Sequence, residues 1–251
     1  MLNYKLIIQY DGTRYKGWQK QKNTETTIQG KIEGVLTRLL NQEISINGSG
    51  RTDAGVHALA QVANFHFDET LANISSYSPC QVKDALNSYL PNDIRILSCE
   101  EVNPRFHARL NAKSKIYEYR IDNTEIGNIF ERKYLTRIEK ALNTDKMIEA
   151  SKYFIGTHDF KSFSTNTHIK KSTIRTIYDI KIVNKDGIIS MEFFGNGFLY
   201  NMVRIISGML IDVGLGKYSP DVIPELLEAK DRTKVGGIAP ASGLFLVKVN
   251  Y

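Results

Sequence analysis

The residues best suited to chemistry stand in one short run, Gly48-Ser49-Gly50-Arg51-Thr52-Asp53-Ala54-Gly55-Val56-His57. Three glycines there surround a guanidinium, a carboxylate and an imidazole. Glycine permits turns and close approaches that a Cβ would block, and a packed core needs none of the three ionisable groups. Asp53 can act as a nucleophile, a general base, a metal ligand or a structural cap that accepts hydrogen bonds from nearby amides. The cap is the commonest use of a lone loop aspartate. A metal site would enlist His57, four residues along, but no His-Glu-x-x-His spacing or carboxylate cluster lies nearby, so metal ranks low. Arg51, two residues before Asp53, shares its face if the segment is extended. A guanidinium there holds the carboxylate ionised and can meet a phosphate or a base edge; the plainer reading is a surface ion pair worth about 0 to 1 kcal/mol. His57 is read as structural or RNA-contacting rather than catalytic.

Other candidates lie further along. At about 100° per residue, Leu199, Met202, Val203, Ile206, Leu210 and Val213 form one helical stripe, and Arg204 falls off it. A solvated face is the usual explanation for such an arginine. Here Ile205, Gly208 and Ile211 beside it suggest that this face is covered as well, and a buried arginine needs an anionic partner. Tyr117 and Tyr119 share one face of a strand; tyrosine is a good sheet former, and it can also stack on an unpaired base for about 1 to 3 kcal/mol. The loop Asp11 to Gln21 mixes cations, amides and aromatics, including the only tryptophan, Trp18. That suits a nucleic-acid backbone and splayed bases, or else a surface loop with an aromatic tucked into the core. Lys170, Lys171 and Arg175 form a second basic segment that alone means only solvated charge.

The elements that must position these residues follow from periodicity. Lys5 to Tyr10 reads as a strand ended by the Asp11-Gly12 turn, and Thr27 to Gln42 as an amphipathic helix. Ile44 to Ile46 is expected to be a strand leading into the glycine-rich run. Beyond the run, Val62 to Phe67 alternates like a half-buried strand. A helix from Ser78 to Tyr89, a break at Leu90 to Asp93 and a strand from Ile94 complete an order of strand, helix, strand, strand, helix, strand, which belongs to ferredoxin-like α+β domains. The second half repeats this order loosely: a strand at Ser114 to Ile121, a helix at Thr144 to Phe154, and strands at Ile174 to Val183 and Ile188 to Phe194 joined by Asp186-Gly187. Helices at Phe198 to Val213 and Pro220 to Ala229 and a strand at Leu244 to Val249 follow. The fold class expected is therefore α+β, with an N-terminal domain over 1–112 that carries the Asp53 loop, and a C-terminal domain over 113–251 that carries Tyr117 and Arg204.

Composition sets the outer bounds. The chain has 251 residues, 42% hydrophobic and 24% charged, an ordinary globular balance. A net charge of +6 and a pI near 9.1 admit a polyanionic partner such as RNA without requiring one. Two cysteines, Cys80 and Cys99, are too few for a disulfide framework or a four-cysteine zinc site. No signal peptide or long apolar run is evident, so a cytoplasmic protein with no membrane contact is expected.

Taken together the motifs resemble a known family. Gly50 to His57 with Gln61-Val62, and Tyr10-Asp11-Gly12-Thr13-x-Tyr15-x-Gly17-Trp18-Gln19-x-Gln21, are similar to the TruA family of tRNA pseudouridine synthases. So are Leu90-Pro91-x-Asp93-Ile94, Phe106-His107-Ala108-Arg109, Tyr117-x-Tyr119, His158-Asp159-Phe160-x-Ser162-Phe163, Asn201-Met202-Val203-Arg204 with Gly208, and Ala229-Lys230-Asp231-Arg232. The resemblance implies conversion of uridine to pseudouridine at positions 38, 39 and 40 of the tRNA anticodon stem-loop. It implies two ferredoxin-like domains joined into one antiparallel sheet, with helices on one side and a catalytic cleft between domains. It also implies a homodimer gripping tRNA, with no DNA partner, no cofactor and no metal. Asp53 falls on the family's catalytic aspartate, Tyr117 on its base-stacking tyrosine, and Arg51 and Arg204 on its active-site arginines, with Arg204 expected to pair with Asp53. The glycines of the run would then be room for an RNA strand. The alternatives are the same chemistry at another tRNA or rRNA site, and a non-catalytic RNA-binding protein. Two departures stand out: Asn73 to Gln81 looks longer than in other members, and the chain ends directly after its last strand, so a C-terminal extension is not expected to contribute.

Overall fold

The computed structural model describes residues 1–71, 78–166 and 172–251. Lys170 and Lys171 lie outside the described residues, as does most of the segment from Asn73 to Gln81. In chain order the elements are β1 (Leu2–Tyr10), α1 (Ile28–Leu40), β2 (Asn47–Gly48), β3 (His57–Phe67), α2 (Pro79–Tyr89) and β4 (Ile94–Glu101). There follow β5 (Ser114–Asp122), β6 (Thr136–Arg137), α3 (Thr144–Lys152), β7 (Gly156–Asp159), β8 (Ile174–Lys185), β9 (Ile188–Gly195), α4 (Met202–Gly214), α5 (Val222–Ala229) and β10 (Leu244–Asn250). The architecture is α+β with mostly antiparallel pairing, as expected. Two compact units divide the chain, residues 1–113 with 246–251, and residues 114–245. Leu246–Tyr251, at the end of the expected second domain, thus pack within the first unit.

In the first unit β1 lies between β3 and β4, antiparallel to both, and the short β2 and the longer β10 lie beside β3. The order β4-β1-β3-β2 is the ferredoxin-like arrangement read from the sequence. The Thr27 side chain caps α1 by accepting from the Gly30 N–H, and Ile28, Ile32, Leu36 and Leu40 are buried at helical spacing. Ser78 and Gln81 form a reciprocal capping box on α2, with Pro79 in its first turn.

Two expectations fail here for identifiable reasons. Ile44 to Ile46 is not a strand, because side chains of α1 take its backbone groups. The Ile44 N–H donates to Thr37 Oγ1 (3.1 Å), the Ile46 N–H to Glu33 Oε1 (3.0 Å), and the Ile46 carbonyl accepts from Gln29 Nε2 (3.3 Å). Nor is β3 half-buried, since most of Val62 to Phe67 is buried on both faces. The second face is covered by the segment around Phe106 to Ala108. Asn64 donates to Phe106 O (3.2 Å) and accepts from the Ala108 N–H (2.9 Å), while Asn3 donates to Phe106 O (2.9 Å).

In the second unit the strands run β5-β9-β8-β7, antiparallel throughout, with β6 parallel to β5. Asp186 and Gly187 both have positive φ (53° and 84°) and close the β8–β9 hairpin as a primed turn requires. The helix expected from Phe198 begins only at Met202, because Asn201 takes a left-handed conformation (φ 60°) that ends regular geometry on its N-terminal side. Leu199 accordingly precedes the helix rather than joining its stripe.

Candidate active site

The loop between β2 and β3 is tied down at successive residues. Ser49 donates through its N–H to Val62 O (2.7 Å) and through Oγ to Gln61 Oε1 (2.6 Å), and Gln61 Nε2 donates to Gly50 O (3.0 Å). Thr52 accepts at its carbonyl from the Trp18 N–H (3.1 Å), and its Oγ1 shares a 2.7 Å hydrogen bond with the Tyr10 hydroxyl. The Val56 N–H donates to Asp53 O (3.2 Å), closing a turn whose third residue, Gly55, has φ 79°. That position demands glycine in a type II turn. The half-buried Asp53 thus projects from backbone fixed on both sides. Burial holds the Tyr10 hydroxyl well above its ordinary pKa, so it stays protonated beside Thr52.

The glycines around this loop serve the protein's own packing. A Cβ on Gly17 would lie 2.7 Å from Thr52 O and 3.2 Å from Ala54 N and Asp53 C, so its absence lets the loop at Gly17 and Trp18 lie against the Asp53 backbone. At Gly48 the vacant position is filled by Trp18, whose indole nitrogen would be 2.5 Å from a Cβ. The reading of Gly48 as room for an RNA strand is therefore corrected: its space belongs to the tryptophan.

His57 is buried, and its Nδ1 accepts from the Gly12 N–H (3.1 Å) and lies 3.2 Å from Asp11 Oδ1. This makes it an anchor for the Asp11-Gly12 turn, the structural role expected. In the Asp11 to Gln21 loop the plainer reading holds for the aromatics, since Trp18 and Tyr15 are both buried. Asp93 holds the loop by accepting from Arg14 Nη2 (2.5 Å) and the Tyr15 hydroxyl (2.6 Å), which raises the Tyr15 pKa beyond what burial already does. Lys16, Lys20 and Lys22 stay exposed. Arg51 is exposed and donates from Nε to Gln19 Oε1 (3.1 Å).

Within the second unit, Arg204 is half-buried in the first turn of α4. It donates from Nε to Ala239 O (2.8 Å) and from Nη1 to Asn201 Oδ1 (3.2 Å), while its own carbonyl accepts from the Ala239 N–H (3.1 Å). The off-stripe face is covered as expected: Ile205 and Ile211 are buried, and the 237–239 segment approaches so closely that a Cβ on Gly208 would lie 2.5 Å from Gly237 O. Tyr117 is buried on β5 and meets Phe198 edge-to-face at 5.2 Å. Tyr119 shares its strand face but is a core residue, its hydroxyl bonded to Thr136 Oγ1 (2.6 Å) and donating to Pro240 O (2.9 Å). Its use as a stacking platform is thereby corrected.

Sequence reasoning missed the supports of the Asp53 loop, Tyr10, Thr52 and Gln61. Gln61 carried a signal, being an amide amid the apolar residues of a strand. Among the described residues, no group of three or more His, Cys, Asp or Glu could hold a metal, and no helix is long and apolar enough to cross a membrane.

The first unit thus holds a loop carboxylate on fixed backbone, and the second holds, separately, a half-buried arginine and a buried aromatic pair; these are residue types that non-redox chemistry on a planar base can use. The chain is similar to proteins that do such chemistry. The family model described as tRNA pseudouridine synthase matches residues 6–111 and 150–251. A tRNA pseudouridine synthase A 2 of Bacillus cereus (strain ZK / E33L) is 51% identical over 251 residues, covering all of both chains, and one of Bacillus anthracis is 50% identical over the same span. A tRNA pseudouridine synthase A of Acetivibrio thermocellus is 45% identical, again over the whole of both chains. Among solved structures, a chain of a Cbf5-Nop10-Gar1 complex gives a TM-score of 0.40 at 12% identity, over 96% of this chain and 57% of that one, too distant to add to the assignment. The protein is thus an isomerase, one that turns uridine into pseudouridine. It belongs to the tRNA pseudouridine synthase family along its whole length.

Proposed function

We propose that the protein isomerises uridines 38, 39 and 40 in the anticodon stem-loop of tRNA, and that Asp53 initiates the reaction. The reaction breaks the bond between ribose C1′ and uracil N1, turns the base and joins C5 to C1′. The proton lost from C5 is balanced by one gained at N1, so neither electrons nor water are consumed and a carboxylate suffices. Asp53 acts as nucleophile at C1′ or C6, or promotes a glycal intermediate. Tyr117 stacks on the extruded uracil, while Arg51 and Arg204 support the charge of the reacting site. Extruding the base costs a few kcal/mol, which stacking and the exposed lysines of the 11–22 loop offset.

The observation that carries this reading is the fixing of Asp53: a half-buried carboxylate on a turn held through Thr52, Gly55 and Val56. Such a group reaches a substrate with little reorganisation. The protein is proposed to work in the cytoplasm, in keeping with the free thiols of Cys80 and Cys99, as a homodimer on RNA rather than DNA. Mapping of pseudouridine in tRNA from a deletion strain tests the assignment. Uridine is expected at 38 to 40 in the affected tRNAs; intact pseudouridine there rejects the substrate, and loss at another RNA site reassigns it.

A further inference from the structure

Arg175 belongs to the basic segment that the functional reading leaves unused, and the second unit places it on the sheet face of Tyr117, two strands away and on the other side of the Ile177–Gly195–Lys115 row. In register, Ile177 of β8 stands opposite Gly195 of β9, and Gly195 opposite Lys115 of β5, two residues before Tyr117. Arg175 lies one step further along β8 on the face of Ile177. The ring of Phe198 lies over Gly195, where a Cβ would sit 3.1 Å from its Cζ, and this ring meets Tyr117 edge-to-face. The Arg175 side chain passes over Gly197, its Cδ and Nε 3.9 Å from where a Cβ would stand, an ordinary contact distance. This face of the sheet thus carries an aromatic pair over Gly195 and a guanidinium further along, over Gly197.

That guanidinium is aimed. Its Nη1 donates to Ser172 O (3.0 Å) and Ile174 O (2.6 Å), which uses both hydrogens of that nitrogen. Among the described residues, Nε–H and the two Nη2 hydrogens meet no acceptor, which leaves a fork that takes a phosphate in two parallel bonds. The cross-strand neighbour His158 turns its Nε2 to Ile155 O (3.1 Å) instead. Arg175 forms no ion pair with a carboxylate among the described residues, although burial depresses its pKa. A partly desolvated arginine without an anion is a costly arrangement unless an anion arrives.

We propose that Arg175 grips a backbone phosphate of the RNA strand that carries the uridine stacked on Tyr117, on the same face of the sheet, as a positioning residue for the substrate. This rests on the reading of Tyr117 as the stacking residue and adds a contact to it. Phosphate contacts set register without reading sequence, so Arg175 fixes which nucleotide stands over Tyr117.

The test measures tRNA binding by wild-type, Arg175→Gln and Arg175→Lys proteins across a series of KCl concentrations, with steady-state kinetics alongside. For Arg175→Gln, Kd is expected to rise about tenfold, and the slope of log Kd against log[KCl] to become shallower by about 0.7 to 0.9. The loss falls on KM, with kcat reduced less than threefold. Arg175→Lys keeps the charge and the slope but loses the planar fork, so its Kd falls between the two. An Arg175→Gln protein with the wild-type melting temperature, Kd and slope overturns the proposal. So does a collapse of kcat with the slope unchanged, and, should Arg175→Gln fail to fold, an Arg175→Lys protein with wild-type Kd. If the wild-type protein binds tRNA but forms no pseudouridine, the functional reading fails while the salt slopes still judge Arg175.

Discussion

Replacing Gly17 by alanine presses directly on the proposed reaction centre from behind. The residue has φ 94°, a region that costs an L-residue about 1 to 2 kcal/mol. The added Cβ would also lie 2.7 Å from Thr52 O and 3.2 Å from Ala54 N and Asp53 C. None of these is the end of a flexible side chain, so the Asp53 loop must retreat by several tenths of an ångström. Overpacking of this kind costs about 1 to 3 kcal/mol, which brings the sum to about 2 to 5 kcal/mol. At about 2 to 4 °C per kcal/mol for a chain of this size, the melting temperature drops by about 4 to 20 °C. Activity falls further than stability alone requires, because a carboxylate displaced by as much as an ångström loses about a hundredfold in rate. Tritium release from tRNA labelled at uridine C5, measured well below the melting temperature, is expected to show kcat reduced by roughly 10- to 100-fold. Gly34→Ala is the control. Gly34 is exposed in α1 with nothing within 4 Å of its Cβ position, and alanine there is expected to stabilise by about 0.5 to 1 kcal/mol. A Gly17→Ala protein with wild-type kcat and melting temperature refutes the claim that this close approach holds Asp53 in place.

Other outcomes follow from the same structure. Tyr119→Phe leaves Thr136 and Pro240 without their shared hydroxyl, so denaturant titration is expected to show a loss of about 1 to 3 kcal/mol with tRNA affinity unchanged; a tenfold affinity loss at full stability would return Tyr119 to the stacking role. Asp122 governs an acid limb of stability. Burial alone would raise its pKa, but the Thr124 hydroxyl, the Asn128 and Thr124 N–H groups and Arg137 together hold it below the ordinary carboxylate value. A depressed folded-state pKa contributes stability that is complete above the unfolded value, near 4, and is lost as pH falls through the folded value. Wild type and Asp122→Asn are therefore expected to differ constantly above about pH 5 and to converge below about pH 4; a gap that widens on acidification contradicts this.

The elements that bury one face at regular spacing were legible in the sequence: α1 from Ile28 to Leu40, the capped start of α2, and the β8–β9 hairpin from its Asp186-Gly187 turn. What escaped was set by partners distant in the chain. Ile44 to Ile46 has the residue types of a strand, yet Glu33, Thr37 and Gln29 satisfy its backbone, and no local pattern announces that. The start of α4 turned on one left-handed asparagine, Asn201, whose side chain reaches Thr165 (2.7 Å). Candidate residues were legible as types, since Asp53, Arg51, Arg204 and Tyr117 are unusual where they stand. Their supports were not, because Tyr10 in β1 and Gln61 in β3 look like ordinary strand residues until Thr52 and Gly50 are found beside them. Glycine gave the most misleading signal. Its absence of a side chain was plain, but whether the space serves a ligand or, as at Gly48, the protein's own tryptophan depends on what packs there.

The central claim is that the Asp53 carboxylate initiates the isomerisation, and single-turnover tritium release with Asp53→Asn and Asp53→Ala tests it most directly. Both substitutions leave the Thr52 and Val56 backbone bonds in place, so both proteins are expected to fold and to bind C5-tritiated tRNA within a fewfold of wild type. Both are expected to release no tritium above background. Release at the wild-type rate by either variant would contradict the account.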